Sequence, residues 1–209
     1  MYIGSTAVLE RMRRGYSKEA FLELAAHLRR EIPSLSLSTD VITGFCEETP
    51  EEHLDTLEVL EKVQFENTFH FKYSQRAKTH AHRTMEDNVP EDIKQQRLLE
   101  IIDVCLKSKK DSFAREIGTS QLVLVERVNP KNPEELCGRA DNMKQVIFPR
   151  EALNILIESE QMESVESRVP EIGEYVEVVI NRSTGNTLLG EPQGISSVQT
   201  FFQKNNQNN

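Results

Sequence analysis

Cysteine is scarce and scattered. Cys46, Cys105 and Cys137 are the only three in 209 residues, and no two lie near each other. A CxxC knuckle and a framework of local disulfides are therefore excluded, and all three read as reduced thiols. Positive charge is also short, with 25 Lys and Arg against 34 Asp and Glu, a net charge of -9. That argues against a general polyanion binder, because phosphate affinity comes mostly from Lys and Arg that displace counterions. Any nucleic-acid site must be local. No apolar run approaches the roughly 20 residues of a membrane helix, so no membrane partner is expected. The opening MYIGSTAVLERMRRGYS lacks the order of a secretory signal, and its Glu10 speaks against a transit peptide, so no clear address is legible. A Ser-His-Asp order, a P-loop and a GxGxxG run are absent too.

What is present has the grammar of a globular chain of one or two domains. Ser17 can cap a helix carrying Phe21, Leu24, Ala25 and Leu28 at helical spacing, stopped before Pro33. In SLSLSTDVITG the period changes to that of a strand, more apolar toward Gly44. Thr49, Pro50 and Glu52 then form a capping box with proline in the first turn, ahead of a stripe of Leu54, Leu57, Leu60 and Val63. Phe69, Phe71 and Tyr73 alternate with polar residues as a second strand. Helix, strand, helix, strand predicts parallel pairing through helical crossovers. A long helix starts near Pro90, with Ile93, Leu98, Ile101, Ile102, Cys105 and Leu106 toward one face, and its length suggests a bridging element. Beyond it, QLVLVERV, KQVIFP, EYVEVVI and NTLLGEP are short apolar runs between turn residues. The expected division is an α/β part over 1–115 and a small antiparallel β domain over 116–194. An insertion near 150–169 reads as an amphipathic helix or acidic loop, and 195–209 as a disordered tail.

Several residues could carry chemistry. Asp40, Glu47 and Glu48 could form a metal or general-base cluster, or serve turn chemistry and a helix dipole; spacing leaves both open. Ligand sites gather at the C-terminal ends of parallel strands, where Ile42, Gly44, Ser74 and Arg76 would lie. His80 and His82 could form a metal edge if extended, the weaker of their two readings. Arg11, Arg13 and Arg14 could meet phosphate or simply face solvent. Cys46 stands between acids that disfavour its thiolate and a helix N-terminus that favours it.

The runs GSTAVLERMRRGYS, STDVITGFCEETPEEH, FHFKYSQRAKTHA, LCGRADNMKQVIFP and GEYVEVVINRSTGNTLLGEP, in this order, resemble the C-terminal half of the MiaB-type radical-SAM tRNA methylthiotransferases. Cysteine after the Gly-Phe looks most like the animal mitochondrial branch. The resemblance implies an α/β partial (β/α) barrel fragment, followed by a small antiparallel β-barrel (TRAM-like) domain that grips tRNA. It implies S-adenosylmethionine and 4Fe-4S clusters as cofactors, and methylthiolation of isopentenyladenosine beside the anticodon. By resemblance, Ile42 and Gly44 belong to the strand packing on the adenosyl group, Ser74 and Arg76 to the next strand's end, and Arg139, Asn142 and Lys144 to the RNA contact. Mitochondria or cytoplasm is the implied compartment.

The departures are specific. No CxxxCxxC motif is present, so the cluster ligands expected of the family are missing. Glu47 stands where the family pattern GFPGET has glycine, which predicts strain if the backbone there needs positive φ. The expectation is a truncated relative, inactive alone, with a tRNA- or RNA-binding module or a protein-interaction fragment as alternatives. An open half-barrel face could take a full-length relative or another protein.

Overall fold

The computed structural model describes residues 4–155 and 167–207, with side chains placed as far as Lys204. The chain forms two compact units, Met1–Lys109 and Lys110–Asn209.

The first unit begins with α1 (Thr6–Arg11) and α2 (Lys18–Glu31). Ser17 Oγ accepts from Ala20 N at 3.2 Å, so the cap read from the sequence is made. Ala25 is buried with Phe21 and Leu22 against it, whereas Leu24 is exposed. β1 (Ser38–Thr43), α3 (Pro50–Val63) and β2 (Asn67–Lys72) form one βαβ unit, the strands parallel from Ser38↔Asn67 to Thr43↔Lys72. Among the described residues this sheet has two strands. Thr49 caps α3 with both halves of the capping box formed and Pro50 at its start. The period of α3 is as expected, and Leu57, Leu60 and Val63 of its stripe face the core. Leu54 is exposed, while His53, Thr56, Val59, Leu60 and Val63 are buried. His53 is tolerated there because its Nε2 shares a 2.8 Å hydrogen bond with Glu100.

The short α4 (His80–Thr84) precedes α5 (Glu91–Ala114), whose residues fall on both sides of the division between units. Of the apolar stripe expected on α5, Ile101 and Cys105 are buried and Leu106 is exposed. Lys94 and Arg97 share the buried face, each paired, with Asp87 and Glu48. No helix among the described residues is long and apolar enough to cross a membrane.

The second unit holds β3 (Ser120–Val128), β4 (Glu135–Ala140), β5 (Gln145–Pro149), the two-residue pair β6 (Leu153–Asn154) and β7 (Ser167–Arg168), then β8 (Tyr175–Ser183), β9 (Leu188–Ser196) and α6 (Val198–Gln207). β3-β4-β5-β9-β8 close into a barrel around Val123, Val125, Leu136, Phe148, Val176, Val178, Ile180 and Leu188. The sequence predicted antiparallel pairing throughout, but β5 and β9 run parallel. A ring of five strands cannot alternate direction all the way round, so one parallel pair is required once the barrel closes.

Two further readings meet the structure at the insertion and the tail. The centre of the insertion, 156–166, lies outside the described residues; its flanks form the β6–β7 pair. The tail read as disordered carries α6. Ser197 Oγ accepts from Thr200 N at 3.1 Å, Phe201 is buried, and Lys204 pairs with Glu177 at 3.1 Å, which together offset the ordering entropy of a polar segment.

Candidate functional site

In the first unit a cleft of about 620 Å³ opens at the C-terminal ends of β1 and β2, the usual place for a ligand in α/β folds. Ile42, Phe45 and Phe71 supply apolar wall; Asp40, Ser74, Arg76 and His80 supply polar groups; Arg11 and Arg14 complete the rim. Register explains the wall. Asp40 pairs with Phe69 and Ile42 with Phe71, so these four share one sheet face, and both phenylalanines are exposed on it.

Ile42, Ser74 and Arg76 are brought together here as the sequence suggested. Gly44 is not on the lining. Its φ of +74° and the absence of a Cβ serve close packing instead, since an added Cβ would stand 2.4 Å from Lys94 Cγ. The Gly44 N–H donates to Glu48 Oε2 at 2.6 Å.

The acidic trio divides. Glu48 is buried and receives Arg97 Nη1 on Oε2 at 2.9 Å, so it is a structural ion pair. Asp40 lines the cleft, and the Glu47 N–H donates to Asn88 at 3.0 Å. No group of three His, Cys, Asp or Glu gathers as a metal site among the described residues. His80 and His82 sit on helical α4, where residues two apart do not share a face. Thr79, not the histidines, organises that turn by accepting from His82 N at 3.2 Å.

Glu47 has φ 61°, in the left-handed region. The glycine expected there would relieve a cost of about 1 kcal/mol while keeping the backbone contacts. Glu47→Gly should therefore raise stability by roughly that amount in urea unfolding; a destabilised variant would show that the side chain has a role of its own.

Behind the cleft, Phe45 meets Tyr73 edge-on at 4.8 Å and Lys94 Nζ lies 5.5 Å from the Tyr73 ring centre. Burial, then a hydrogen bond with Cys46, pushes the Tyr73 hydroxyl above its ordinary 10.0, so it remains a neutral phenol at physiological pH. Cys46 is fully buried, which removes it as an accessible nucleophile. Phe71 and Tyr73 were legible in the sequence only as strand residues; their position at the strand end is the signal that marks them as wall.

Of Arg139, Asn142 and Lys144, inferred as RNA contacts, the structure engages two inside the fold. Lys144 is buried; its ammonium binds Ser112 O at 3.1 Å and the Glu116 carboxylate, and lies 5.4 Å from the Phe113 ring centre. Asn142 Nδ2 donates to the same Glu116 at 2.9 Å. Both close the turn internally, because a buried ammonium needs a carboxylate and the turn places Glu116 within reach. Arg139 is half-exposed and pairs with Glu126 at 3.2 Å. A groove of about 550 Å³ on the barrel, with Arg182, Asn181, Ile147 and Leu189 on its lining, was missed. The only cue was the Asn-Arg pair that follows the apolar run of EYVEVVI.

Residues 114–192 match the TRAM domain. The CDK5RAP1-like protein of Oryza sativa subsp. japonica is 41% identical over 201 residues, 96% of this chain and 33% of the relative. Mitochondrial tRNA methylthiotransferase CDK5RAP1 of Homo sapiens is 43% identical over 188 residues, 90% of this chain and 30% of the relative. The tRNA-2-methylthio-N(6)-dimethylallyladenosine synthase of Azobacteroides pseudotrichonymphae genomovar. CFP2 is 36% identical over 190 residues, 91% and 38% respectively. The chain is a partial relative of the MiaB-type tRNA methylthiotransferases. It spans about a third of the length of the curated relatives it matches.

For such a relative, the donor set is the test of an iron-sulfur cluster. Cys46, Cys105 and Cys137 are each buried, and they stand in different places: Cys46 after β1, Cys105 within α5, Cys137 in β4. Burial pushes the Cys105 and Cys137 thiols up, away from the thiolate a metal requires. These residues do not fit a cluster. The cleft does suit a ligand with a flat apolar part and a charged part, since its lining combines Ile42 and Phe71 with Asp40 and Arg76.

Proposed function

We propose that this chain supplies the tRNA-holding part of a methylthiotransferase and a wall of its S-adenosylmethionine site, without the cluster chemistry. On this reading the first unit is a section of a partial (β/α) barrel, and the TRAM domain binds the tRNA whose isopentenyladenosine, next to the anticodon, is the family's methylthiolation target. The observation that carries it is the identity to tRNA methylthiotransferases over some nine-tenths of the chain, across both units. The cleft at the strand ends supports the cofactor part, where Ile42 and Phe71 would pack on an adenosyl group and Ser74 and Arg76 would bind its polar end. S-adenosylmethionine, when bound beside a reduced cluster, supplies radical chemistry; this chain's residues would hold and orient it, and no cysteine triad is present to hold the cluster that would reduce it. Mitochondria are the proposed compartment, since the animal relatives are named as mitochondrial tRNA methylthiotransferases.

The open face bearing Phe69 and Phe71 favours a second reading, in which another polypeptide, such as a full-length relative, covers the sheet. The purified chain separates the possibilities. Titration calorimetry should detect S-adenosylmethionine, and salt-sensitive tRNA binding should appear without methylthiolation. Turnover by the chain alone would overturn the inactive reading. Failure to bind both cofactor and tRNA would overturn the proposal as a whole.

A further inference from the structure

Given that the barrel binds RNA, we propose that it does so at the seam between β5 and β9, and that the seam takes one unstacked, amino-bearing base with its phosphate. The parallel pairing that closes the barrel is only two residues long, Val146↔Leu188 and Ile147↔Leu189. It stops where Pro149, which has no N–H to extend a ladder, approaches. Past that point the strands leave the 550 Å³ groove. Val146, Phe148, Leu188 and Ile180 belong to the core, so the alternating Ile147 and Leu189 face outward, and Leu189 pairs in turn with Arg182. The result is an aliphatic floor with a guanidinium at its side.

The chemistry of the rim selects the ligand. Arg182 is exposed and in no ion pair among the described residues, which leaves its fork for a phosphate. Glu135 Oε2 accepts from Asn129 at 2.6 Å and Glu191 Oε1 from Asn181 at 3.4 Å. The other oxygen of each carboxylate accepts no hydrogen bond among the described residues. Two carboxylates beside one arginine repel a duplex backbone with its dense phosphates. They suit a splayed base that offers exocyclic amino hydrogens, as adenine, cytosine and guanine do and uracil does not. Single-stranded loops present bases in that state. In the 139–144 turn Asn142 and Lys144 are bound to Glu116, which leaves Arg139, paired with Glu126, as the competing contact.

The test uses the full chain and fluorescein-labelled single-stranded 12-mers of A, C and U, read by anisotropy over a salt series. The expected result is tighter binding of A and C than of U. Arg182→Gln should weaken binding about tenfold on every sequence and lower the salt slope by about 0.7, the loss of one phosphate contact on a single strand. Glu191→Gln should narrow the gap between A or C and U. Wild-type affinity and slope in Arg182→Gln, with a loss in Arg139→Gln, would overturn the seam and move the contact to β4. If the wild-type chain binds no RNA at all, tRNA included, the RNA-binding reading itself falls along with the seam. Arg182 is exposed, so an unchanged circular dichroism spectrum should accompany its substitution.

Discussion

Arg97→Met should destabilise the first unit by about 4 kcal/mol. Arg97 Nη1 donates to both the carboxylate and the backbone carbonyl of Glu48, at 2.9 and 3.0 Å, and the Glu48 side chain has no solvent exposure. Methionine keeps much of the volume and removes the charge. The Glu48 carboxylate would then be left in the interior with the Gly44 N–H as the remaining donor among the bonds described above. Breaking a buried pair from one side costs far more than replacing both partners, because the orphaned charge keeps its desolvation penalty. The double variant Arg97→Met/Glu48→Gln should therefore recover most of the loss. Native-state amide exchange across α3 reads this unit separately from the barrel. A single-variant cost below about 1 kcal/mol would mean that water reaches Glu48 and that the pair is not the tie between α5 and the start of α3. The tie matters to function because Gly44 and Glu48 bracket Phe45, a wall of the cleft. On the proposed reading, affinity for S-adenosylmethionine should fall together with the stability of this segment.

The same pair shows why the site was only half legible. Capping residues announce themselves through local backbone chemistry, and Ser17, Thr49, Pro50 and Glu52 all do in the structure what their spacing implied. The β1-α3-β2 order followed from the change of hydrophobic period. Which helix face is buried did not follow, since Lys94 and Arg97 look like surface residues until Asp87 and Glu48 are known to meet them. His53 and Thr56 misled in the same way, since they are buried on α3 while Leu54 is exposed. On β2 the type of residue is an equally poor guide to burial. Phe69 and Phe71 are apolar and alternate cleanly, yet they face the open side of the sheet at 59% and 52% exposure. In the barrel, Lys144 was an attractive RNA ligand by type alone; its burial depends on Glu116, 28 residues earlier, a contact set by tertiary structure. Glu47 is the instructive exception. A departure from a family glycine predicted strain there on the condition of positive φ, and the backbone meets the condition.

The second large effect concerns the barrel wall. Gly138→Val should cost the second unit about 3 kcal/mol or more, and Gly138→Ala about 2 kcal/mol. Gly138 lies on β4 opposite Val125 of β3 and Val146 of β5, with its missing side chain on the inner face between Leu136 and Ala140. A Cβ there would stand 2.2 Å from the Leu124 carbonyl oxygen and 2.6 Å from Val123 Cγ1. The nearer atom is backbone, so no rotamer change relieves the clash, and β3 must move away from β4. In an open sheet an edge strand could drift; in a closed ring the shift has to be taken up by a neighbouring pair. The β5–β9 pair, two residues long, offers the least resistance. Loss of amide protection in Gly138→Ala should accordingly appear first at Ile147 and Leu189, before β3 and β8 open. Gly15→Ala is the control, since nothing lies within 4 Å of the added carbon, and its expected effect is neutral to slightly stabilising. Protection lost uniformly over the barrel would refute the weak-seam order, while a Gly138→Ala variant within about 0.5 kcal/mol of wild type would refute the tight β3–β4 approach. Early opening at Ile147 and Leu189 would also disturb the groove before the core, so RNA affinity should decline at temperatures where the barrel is still folded.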